Sequence, residues 1–130
     1  MDDSTTNKTI LLVDDEQFIQ VAYKAGLENA GYRVVAASDG DEALELLRSE
    51  TPDLIMLDLI MPRIDGFEVL KSIQADPAFA NVPVMVMTNL SQPSDEEEAR
   101  RLGAVDFVVK AEASLNDVLT KVQTLFANQQ

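Results

Sequence analysis

Five short, continuously apolar runs recur along the chain, and a stretch with helical spacing follows each of them. The runs cover 9–13, 33–37, 53–57, 84–87 and 106–109. Continuous rather than alternating apolar character is typical of strands that are buried on both faces of a parallel sheet. Strands that alternate with helices indicate one sheet with helices packed on both sides. The pattern therefore predicts a doubly wound α/β domain.

The predicted domain covers 8–126, and we expect the polar ends at 1–7 and 127–130 to be flexible tails. No apolar stretch approaches the ~20 residues that span a bilayer, and the acidic amino terminus differs from the basic and apolar start of a signal peptide. These features predict a cytoplasmic protein without membrane contact. Because no further domain follows residue 126, we expect either a single-domain protein or a fragment of a longer one.

The composition excludes several kinds of chemistry. The chain has no His and no Cys, which excludes Ser-His-Asp triads, thiolate catalysis and zinc sites built on those residues. Its formal net charge is −13. A chain this acidic is repelled by the phosphates of nucleic acid, so we expect no direct nucleic-acid binding.

Two helices carry specific expectations about packing and capping. The first covers 17–30, and the apolar residues expected to face the core are Phe18, Val21, Ala22, Ala25 and Leu27. Ser94 is the predicted N-cap of the fourth helix, because Glu97 follows at the spacing of a capping box. The same helix has two candidate i,i+4 ion pairs, Glu96 with Arg100 and Glu97 with Arg101.

Four of the apolar runs lead directly into residues that can handle a phosphoryl group. The first ends in the acidic sequence Asp14, Asp15 and Glu16, and the others end in Asp58, Thr88 and Lys110. Parallel strands end at the same edge of a sheet, and open α/β sheets bind their ligands there. Any one of these residues is ordinary at the end of a strand, but the joint pattern predicts a cation-assisted phosphoryl-transfer site.

The close-set carboxylates predict a bound metal ion. Two such charges 4 Å apart repel by roughly 4 kcal/mol at an effective dielectric near 20. An all-oxygen site favours Mg²⁺, with Mn²⁺ as a second candidate. We assign Asp15 and Asp58 as direct ligands, Asp14 as a ligand through water, and the backbone carbonyl of Ile60 as a further oxygen donor.

Asp58 is the predicted nucleophile, because a carboxylate can attack phosphorus and form an aspartyl phosphate. Lys110 and the metal would stabilise the equatorial oxygens, and the Thr88 hydroxyl would donate to one of them. Phosphorylation adds charge and acceptor oxygens. Because Thr88 and Lys110 follow different strands, they are the expected sensors of this change.

Four segments carry a resemblance to a known family: ILLVDDEQ, LIMLDLIMPRIDGFEVL, VMVMTNLS and GAVDFVVK. Over 8–126 the chain resembles the receiver domain of two-component response regulators, of the chemotaxis-receiver type. The resemblance implies a flavodoxin-like five-stranded sheet of order 2-1-3-4-5. It also implies Mg²⁺-dependent transfer to Asp58 from a sensor histidine kinase or phosphotransfer protein. The domain would catalyse only its own phosphorylation and dephosphorylation, and would not be an enzyme acting on other substrates.

The resemblance further implies a switch, in which Thr88 moves toward the phosphoryl group and Phe107 turns inward behind it. The face formed by the fourth helix, fifth strand and fifth helix would then contact a downstream protein target, with the protein a monomer or weak dimer. Three residues depart from the family pattern. Pro93 lies just before or within the first turn of the fourth helix, where it would shorten or stiffen that helix. Ala111 stands where proline usually follows the lysine, so we expect a trans peptide bond there. Asn89 replaces a small residue, and its amide would crowd the site or orient a water.

Three alternatives remain at this point. A haloacid-dehalogenase-like phosphatase uses similar groups, but it needs a D-x-D pair where this chain has adjacent Asp14 and Asp15. An electron-transfer flavodoxin needs a phosphate-binding loop after the first strand, and the sequence DDEQF would repel a phosphate. A receiver fold that binds its partner constitutively would keep its affinity after Asp58→Asn.

Overall fold

The structure, a computed structural model, describes residues 8–128 of the chain. Residues 1–7 and 129–130, which include one predicted tail and the end of the other, lie outside the described residues. The strands are β1 (Thr9–Val13), β2 (Arg33–Ala37), β3 (Leu54–Leu57), β4 (Val84–Thr88) and β5 (Asp106–Val109). The α-helices are α1 (Gln17–Asn29), α2 (Gly40–Leu47), α3 (Gly66–Ala75), α4 (Pro93–Arg101) and α5 (Leu115–Ala127). Short 3₁₀ turns lie at Pro77–Phe79 and Lys110–Glu112.

All paired strands are parallel, and the sheet has the order β2-β1-β3-β4-β5. This order confirms the predicted fold class, a flavodoxin-like doubly wound sheet with helices on both faces. Each of the first four strands is followed by a helix that returns the chain to the amino end of the next strand, and α5 follows β5. No helix among residues 8–128 combines the length and the apolar character needed to cross a membrane.

Side chains alternate between the two faces of the sheet, so two separate apolar layers form. One layer packs α1 and α5 on strand residues that include Ile10, Leu12, Leu54, Met56, Met85 and Met87. The other packs α2, α3 and α4 on strand residues that include Leu11, Val13, Ile55, Leu57, Val84 and Val86. Because β1, β3 and β4 are buried on both faces, their carboxyl ends are held in fixed positions.

The prediction for the buried face of α1 was partly wrong. Ala22 and Leu27 pack inward as expected, but Phe18 is 81% exposed, Val21 is 70% exposed, and Ala25 is exposed. The face that packs on the sheet instead carries Ile19, Ala22, Tyr23, Leu27 and Ala30. This set also has helical spacing, and it places the aromatic ring of Tyr23 in the core in place of Phe18.

The predicted cap of α4 was also wrong. The helix begins at Pro93, one residue before Ser94, and its N-cap is Gln92. The backbone N–H of Gln92 donates to Asp95 Oδ2 at 3.3 Å. Proline is favoured at the first position of a helix because its missing N–H would have no partner there.

The ion pairs of α4 follow the prediction in one case and differ in the other. Arg100 Nε lies 2.9 Å from Glu96 Oε2, as expected. Arg101 pairs with Glu98 at 2.6 Å, not with Glu97. Positions i and i+3 are also neighbours on a helix surface, which allows this alternative.

Candidate functional site

The register of the sheet brings the predicted site residues to one edge. Val13 of β1 lies beside Leu57 of β3, so Asp14 and Asp58 leave neighbouring strands at the same level. Thr88, at the end of β4, lies beside Val109 of β5, and Lys110 follows directly. Residues that are far apart in sequence thus converge at the carboxyl edge, as the apolar runs predicted.

The ammonium group of Lys110 contacts three carboxylates. Its Nζ lies 2.9 Å from Asp14 Oδ2, 2.9 Å from Glu16 Oε1 and 3.0 Å from Asp58 Oδ2. The Lys110 side chain is only 5% exposed, and those of Asp14 and Asp58 are 0% and 3% exposed. The centre of the site is therefore a buried cation among carboxylates from the ends of β1 and β3.

Backbone groups fix the remaining oxygens of the two buried carboxylates. The N–H of Glu16 donates to Asp14 Oδ1 at 2.9 Å, and the N–H of Ile60 donates to Asp58 Oδ1 at 3.1 Å. Each bond spans two residues, so each aspartate closes a tight turn where its strand ends. The orientation of Asp58 is consequently set by both the loop after β3 and Lys110.

The burial of these groups changes their proton affinities. Burial raises the pKa of the Asp14 carboxyl, although Lys110 and the Glu16 N–H partly oppose this. Burial lowers the pKa of the Lys110 ammonium, but hydrogen bonds to Asp14, Glu16 and Asp58 outweigh burial and raise the pKa above its usual value. Lys110 is therefore a permanent positive charge over the physiological pH range.

A cavity of about 180 Å³ opens beside these groups and is lined by Asp15, Glu16, Asp58, Ile60, Asn89 and Lys110. Asp15 is exposed on the cavity wall. Thr88, which directly precedes Asn89 in the chain, is fully buried. The N–H of Leu90 donates to Thr88 Oγ1 at 3.3 Å. Asp58 is almost fully buried, but it forms part of the wall of this cavity.

Phe107 lies in β5 opposite Val86, two residues before Thr88 in β4. It is half-buried and packs against the apolar layer beneath α2, α3 and α4. The predicted switch residues Thr88 and Phe107 therefore occupy adjacent strands of the sheet.

The donor set suits a small, hard divalent cation. Asp14, Glu16 and Asp58 each offer a carboxylate oxygen, and these oxygens lie within 4.8 Å of one another. Mg²⁺ prefers such oxygen donors. Asp15 lies outside this group but borders the same cavity, as does Ile60. Sequence reasoning gave no role to Glu16, although its place in the Asp-Asp-Glu sequence after β1 was the available signal.

Two of the three residues that depart from the usual pattern, Asn89 and Ala111, contact each other. The backbone N–H of Ala111 donates to Asn89 Oδ1 at 2.9 Å. The predicted trans peptide before Ala111 is confirmed, since no cis bond occurs among residues 8–128. The loops that follow β4 and β5 are thus joined beside the cavity that Asn89 lines.

The sequence model of the response regulator receiver domain family matches residues 10–123, which is most of the chain. The chain belongs to this family. Receiver domains act in two-component signalling, which depends on phosphorylation, and they are generally switches rather than enzymes. They bind Mg²⁺ in an acidic pocket, and they interact with a histidine kinase or phosphotransfer protein and with downstream targets.

Curated relatives resemble this receiver domain over only part of their length. A probable transcriptional regulator, ycf27, of Guillardia theta is 42% identical over 108 residues, which are 83% of this chain and 41% of the relative. The alkaline phosphatase synthesis transcriptional regulatory protein PhoP of Bacillus subtilis is 40% identical over 80% of this chain and 42% of its own. A probable cyclic di-GMP phosphodiesterase of Vibrio cholerae is 38% identical over 93% of this chain and 27% of its own.

Solved structures match the receiver domain nearly end to end. The chemotaxis protein CheY4 of Vibrio cholerae has a TM-score of 0.84 at 30% identity, covering 90% of this chain and 97% of its own. The phosphorylated cyanobacterial phytochrome response regulator RcpA has a TM-score of 0.80 at 31% identity, covering 92% of this chain and 91% of its own. These likenesses agree with the five-stranded order of the sheet.

Proposed function

We propose that Asp58 accepts a phosphoryl group from the phosphohistidine of a sensor histidine kinase or phosphotransfer protein. The observation that carries this proposal is the placement of the Asp58 carboxylate on an open cavity, 3.0 Å from a buried ammonium group. An oxygen of Asp58 attacks phosphorus, an O–P bond forms, and the P–N bond to histidine breaks with the nitrogen as the leaving group. The histidine belongs to the partner, because this chain has none.

The acidic groups would hold Mg²⁺ for this transfer. Asp15 and Asp58 are the proposed direct ligands, with Asp14 through water and the backbone carbonyl of Ile60 as further donors. Glu16 adds a third carboxylate on the cavity wall. When bound, the ion neutralises charge on the carboxylates and on the phosphoryl oxygens.

Lys110 has a role both before and during transfer. In the structure its ammonium group holds one Asp58 oxygen and balances the charge of Asp14 and Glu16. During transfer the same group stabilises the charge that spreads over the phosphoryl oxygens. Its raised pKa keeps it protonated throughout.

The phosphorylated state would be read through Thr88 and Phe107. Thr88 would turn its hydroxyl to a phosphoryl oxygen, and Phe107 would move inward behind it. Phe107 also lines a surface groove of about 590 Å³ with residues of α4, α5 and the turn after β5. This α4-β5-α5 face is the proposed contact surface for a downstream protein, with the receiver domain itself a monomer or weak dimer.

Intact-mass spectrometry after incubation with acetyl phosphate tests the proposal. The wild type should gain one phosphoryl group in the presence of Mg²⁺ and none after chelation. Asp58→Asn should gain none, whereas Asp41→Asn, an exposed aspartate at the start of α2, should behave as wild type. A wild type that binds Mg²⁺ but is never phosphorylated would instead favour a receiver fold that works by binding alone.

A further inference from the structure

Asn89 and Ala111 join the two loops that carry the proposed sensors. Asn89 directly follows Thr88 at the end of β4, and Ala111 directly follows Lys110 at the end of β5. Their hydrogen bond, 2.9 Å from Ala111 N to Asn89 Oδ1, is a contact across 22 residues of sequence. It is available only because residue 111 has a backbone N–H, which a proline would lack.

This hydrogen bond determines which atom of the Asn89 amide faces Ala111 and which atom is left for another partner. A backbone N–H is a donor, so the atom that faces it must be the carbonyl oxygen Oδ1. The amino group, Nδ2, is then directed elsewhere with two N–H donors. Within residues 8–128, Nδ2 makes no hydrogen bond, so these donors are free for a ligand.

The Asn89 side chain lies on the wall of the cavity that also exposes Asp58 and Lys110. A phosphoryl group on Asp58 would enter this cavity and bring three acceptor oxygens with it. The wall offers the Lys110 ammonium as one donor to these oxygens. Asn89 lines the same wall, so its amide lies beside the space that the phosphoryl oxygens would enter.

We propose that the Ala111 N–H holds the Asn89 amide in place as an additional donor to the phosphoryl group on Asp58. This inference rests on the proposed function, since it concerns the same site in its phosphorylated state. Asn89 is then a binding residue of this chain, and Ala111 positions it. Alanine at position 111 and asparagine at position 89 act as a pair. Without the N–H of residue 111 the Asn89 amide would not be held in place, and without Asn89 there would be no amide at this position.

The binding of beryllium fluoride in the presence of Mg²⁺ tests the donor role. This anion forms a tetrahedral adduct on a carboxylate and presents fluorine acceptors where phosphoryl oxygens would lie. A hydrogen bond to a charged acceptor changes an affinity by at least about tenfold. We therefore expect Asn89→Ala to weaken the adduct about tenfold or more, as measured by NMR titration. Asn81→Ala, an exposed asparagine before β4, is the matched control and should bind as wild type.

Hydrogen exchange at the Ala111 amide tests the anchor in the free protein. The amide should be protected in the wild type and in Asn89→Asp, which keeps the oxygen acceptor. It should lose protection in Asn89→Ala. Asn89→Asp should nevertheless bind beryllium fluoride at least as weakly as Asn89→Ala, because it has no donor. Mg²⁺ affinity should be unchanged within about twofold in Asn89→Ala, since Asn89 is not among the proposed metal ligands.

Several results would overturn the inference. These are an Asn89→Ala protein that binds beryllium fluoride as tightly as wild type, an Ala111 amide equally protected in that variant, or a parallel loss of Mg²⁺ affinity. Circular dichroism identifies a variant that fails to fold, and the exposure of Asn89 makes the substitution a surface one. Failure of the proposed function is a different result: beryllium fluoride would then bind neither wild type nor Asp58→Asn.

Discussion

The Nζ atom of Lys110 lies 3.0 Å from Oδ2 of Asp58, and both side chains are almost fully buried. The same ammonium group also contacts Asp14 and Glu16. A single cation therefore balances carboxylates from the ends of two central strands. Its removal would leave buried negative charge without a partner, which is among the more costly changes a folded protein can undergo.

Lys110→Met tests this dependence directly. Without a divalent cation, the free energy of unfolding should fall by about 3–5 kcal/mol at neutral pH, because Asp14 and Asp58 remain buried and uncompensated. Saturating Mg²⁺ should restore part of the loss and should stabilise the variant more than the wild type. Urea unfolding followed by circular dichroism gives both values. Lys121→Met, which removes an exposed partner of Asp106, should cost no more than about 1 kcal/mol.

Gly66 and Gly26 should differ in how strongly they respond to substitution by alanine. A Cβ on Gly66 would lie 2.3 Å from the Leu59 Cα and 2.6 Å from its carbonyl oxygen, so backbone atoms would have to move. Gly66→Ala should therefore lower the free energy of unfolding by about 1–3 kcal/mol or more. It should also slow phosphorylation, because Leu59 follows Asp58 in the chain.

Gly26→Ala is the matched control. Its Cβ would meet Leu115 Cδ2 at 2.9 Å, which is the movable end of a flexible side chain. Alanine within α1 gains about 0.5–1 kcal/mol of helix stability over glycine. The net change in the free energy of unfolding should stay within about 1 kcal/mol, and equal losses at Gly66 and Gly26 would contradict the packing described for the loop after β3.

The orientation of α1 gives a third test. Leu27 is fully buried, so Leu27→Ala should cost about 2–5 kcal/mol. Phe18 is 81% exposed, so Phe18→Ala should change stability by no more than about 0.5 kcal/mol. Thermal or urea unfolding of the two variants decides the helix face. A large loss for Phe18→Ala would restore the orientation that the sequence alone predicted.

Tyr23 predicts a loss of stability at alkaline pH. Burial raises the pKa of its phenol above the ordinary value of 10.0. The unfolded chain therefore loses this proton first as the pH rises, and stability that is fully present below pH 10 declines through the folded-state pKa.

Tyr23→Phe should remove this component and reduce the alkaline slope of the unfolding free energy by up to about 1.4 kcal/mol per pH unit. Unfolding of both proteins at pH 7 is the control, since the phenol is protonated there in both states. The raised pKa of Lys110 acts in the same direction but only above its own ordinary value of 10.5. An unchanged slope would show that the Tyr23 hydroxyl is ionised as easily in the folded protein as in the unfolded chain.

The sequence was sufficient to predict the sheet and the residues at its edge, because apolar runs end where strands end. Asp14, Asp58, Thr88 and Lys110 follow those runs directly, and the parallel arrangement brings them together without any knowledge of loop geometry. The contact of Glu16 with Lys110 was not predictable in the same way. It depends on the side-chain directions within a turn, which a count of residues does not determine.

Helix faces and loop contacts were harder for related reasons. Two sets of residues in α1 have helical spacing, and only the packing of Ile19 and Tyr23 on the sheet selects between them. In α4, the preference of Pro93 for the first helical position outweighed the capping pattern at Ser94. The bond between Asn89 and Ala111 joins two separate loops, so it could be found only once their relative positions were known.

The order of the strands places the site residues partly on inner strands and partly after an outer strand of the sheet. Asp14 and Asp58 follow β1 and β3, each of which has a strand on either side. Lys110 follows β5, whose only neighbouring strand among residues 8–128 is β4. An outer strand can shift while breaking fewer backbone hydrogen bonds than an inner one, so local opening is easier there. Under the proposed function, charge added at Asp58 would meet a stiff support. The resulting movement would then be directed toward the more easily displaced outer strand, where a partner could detect it.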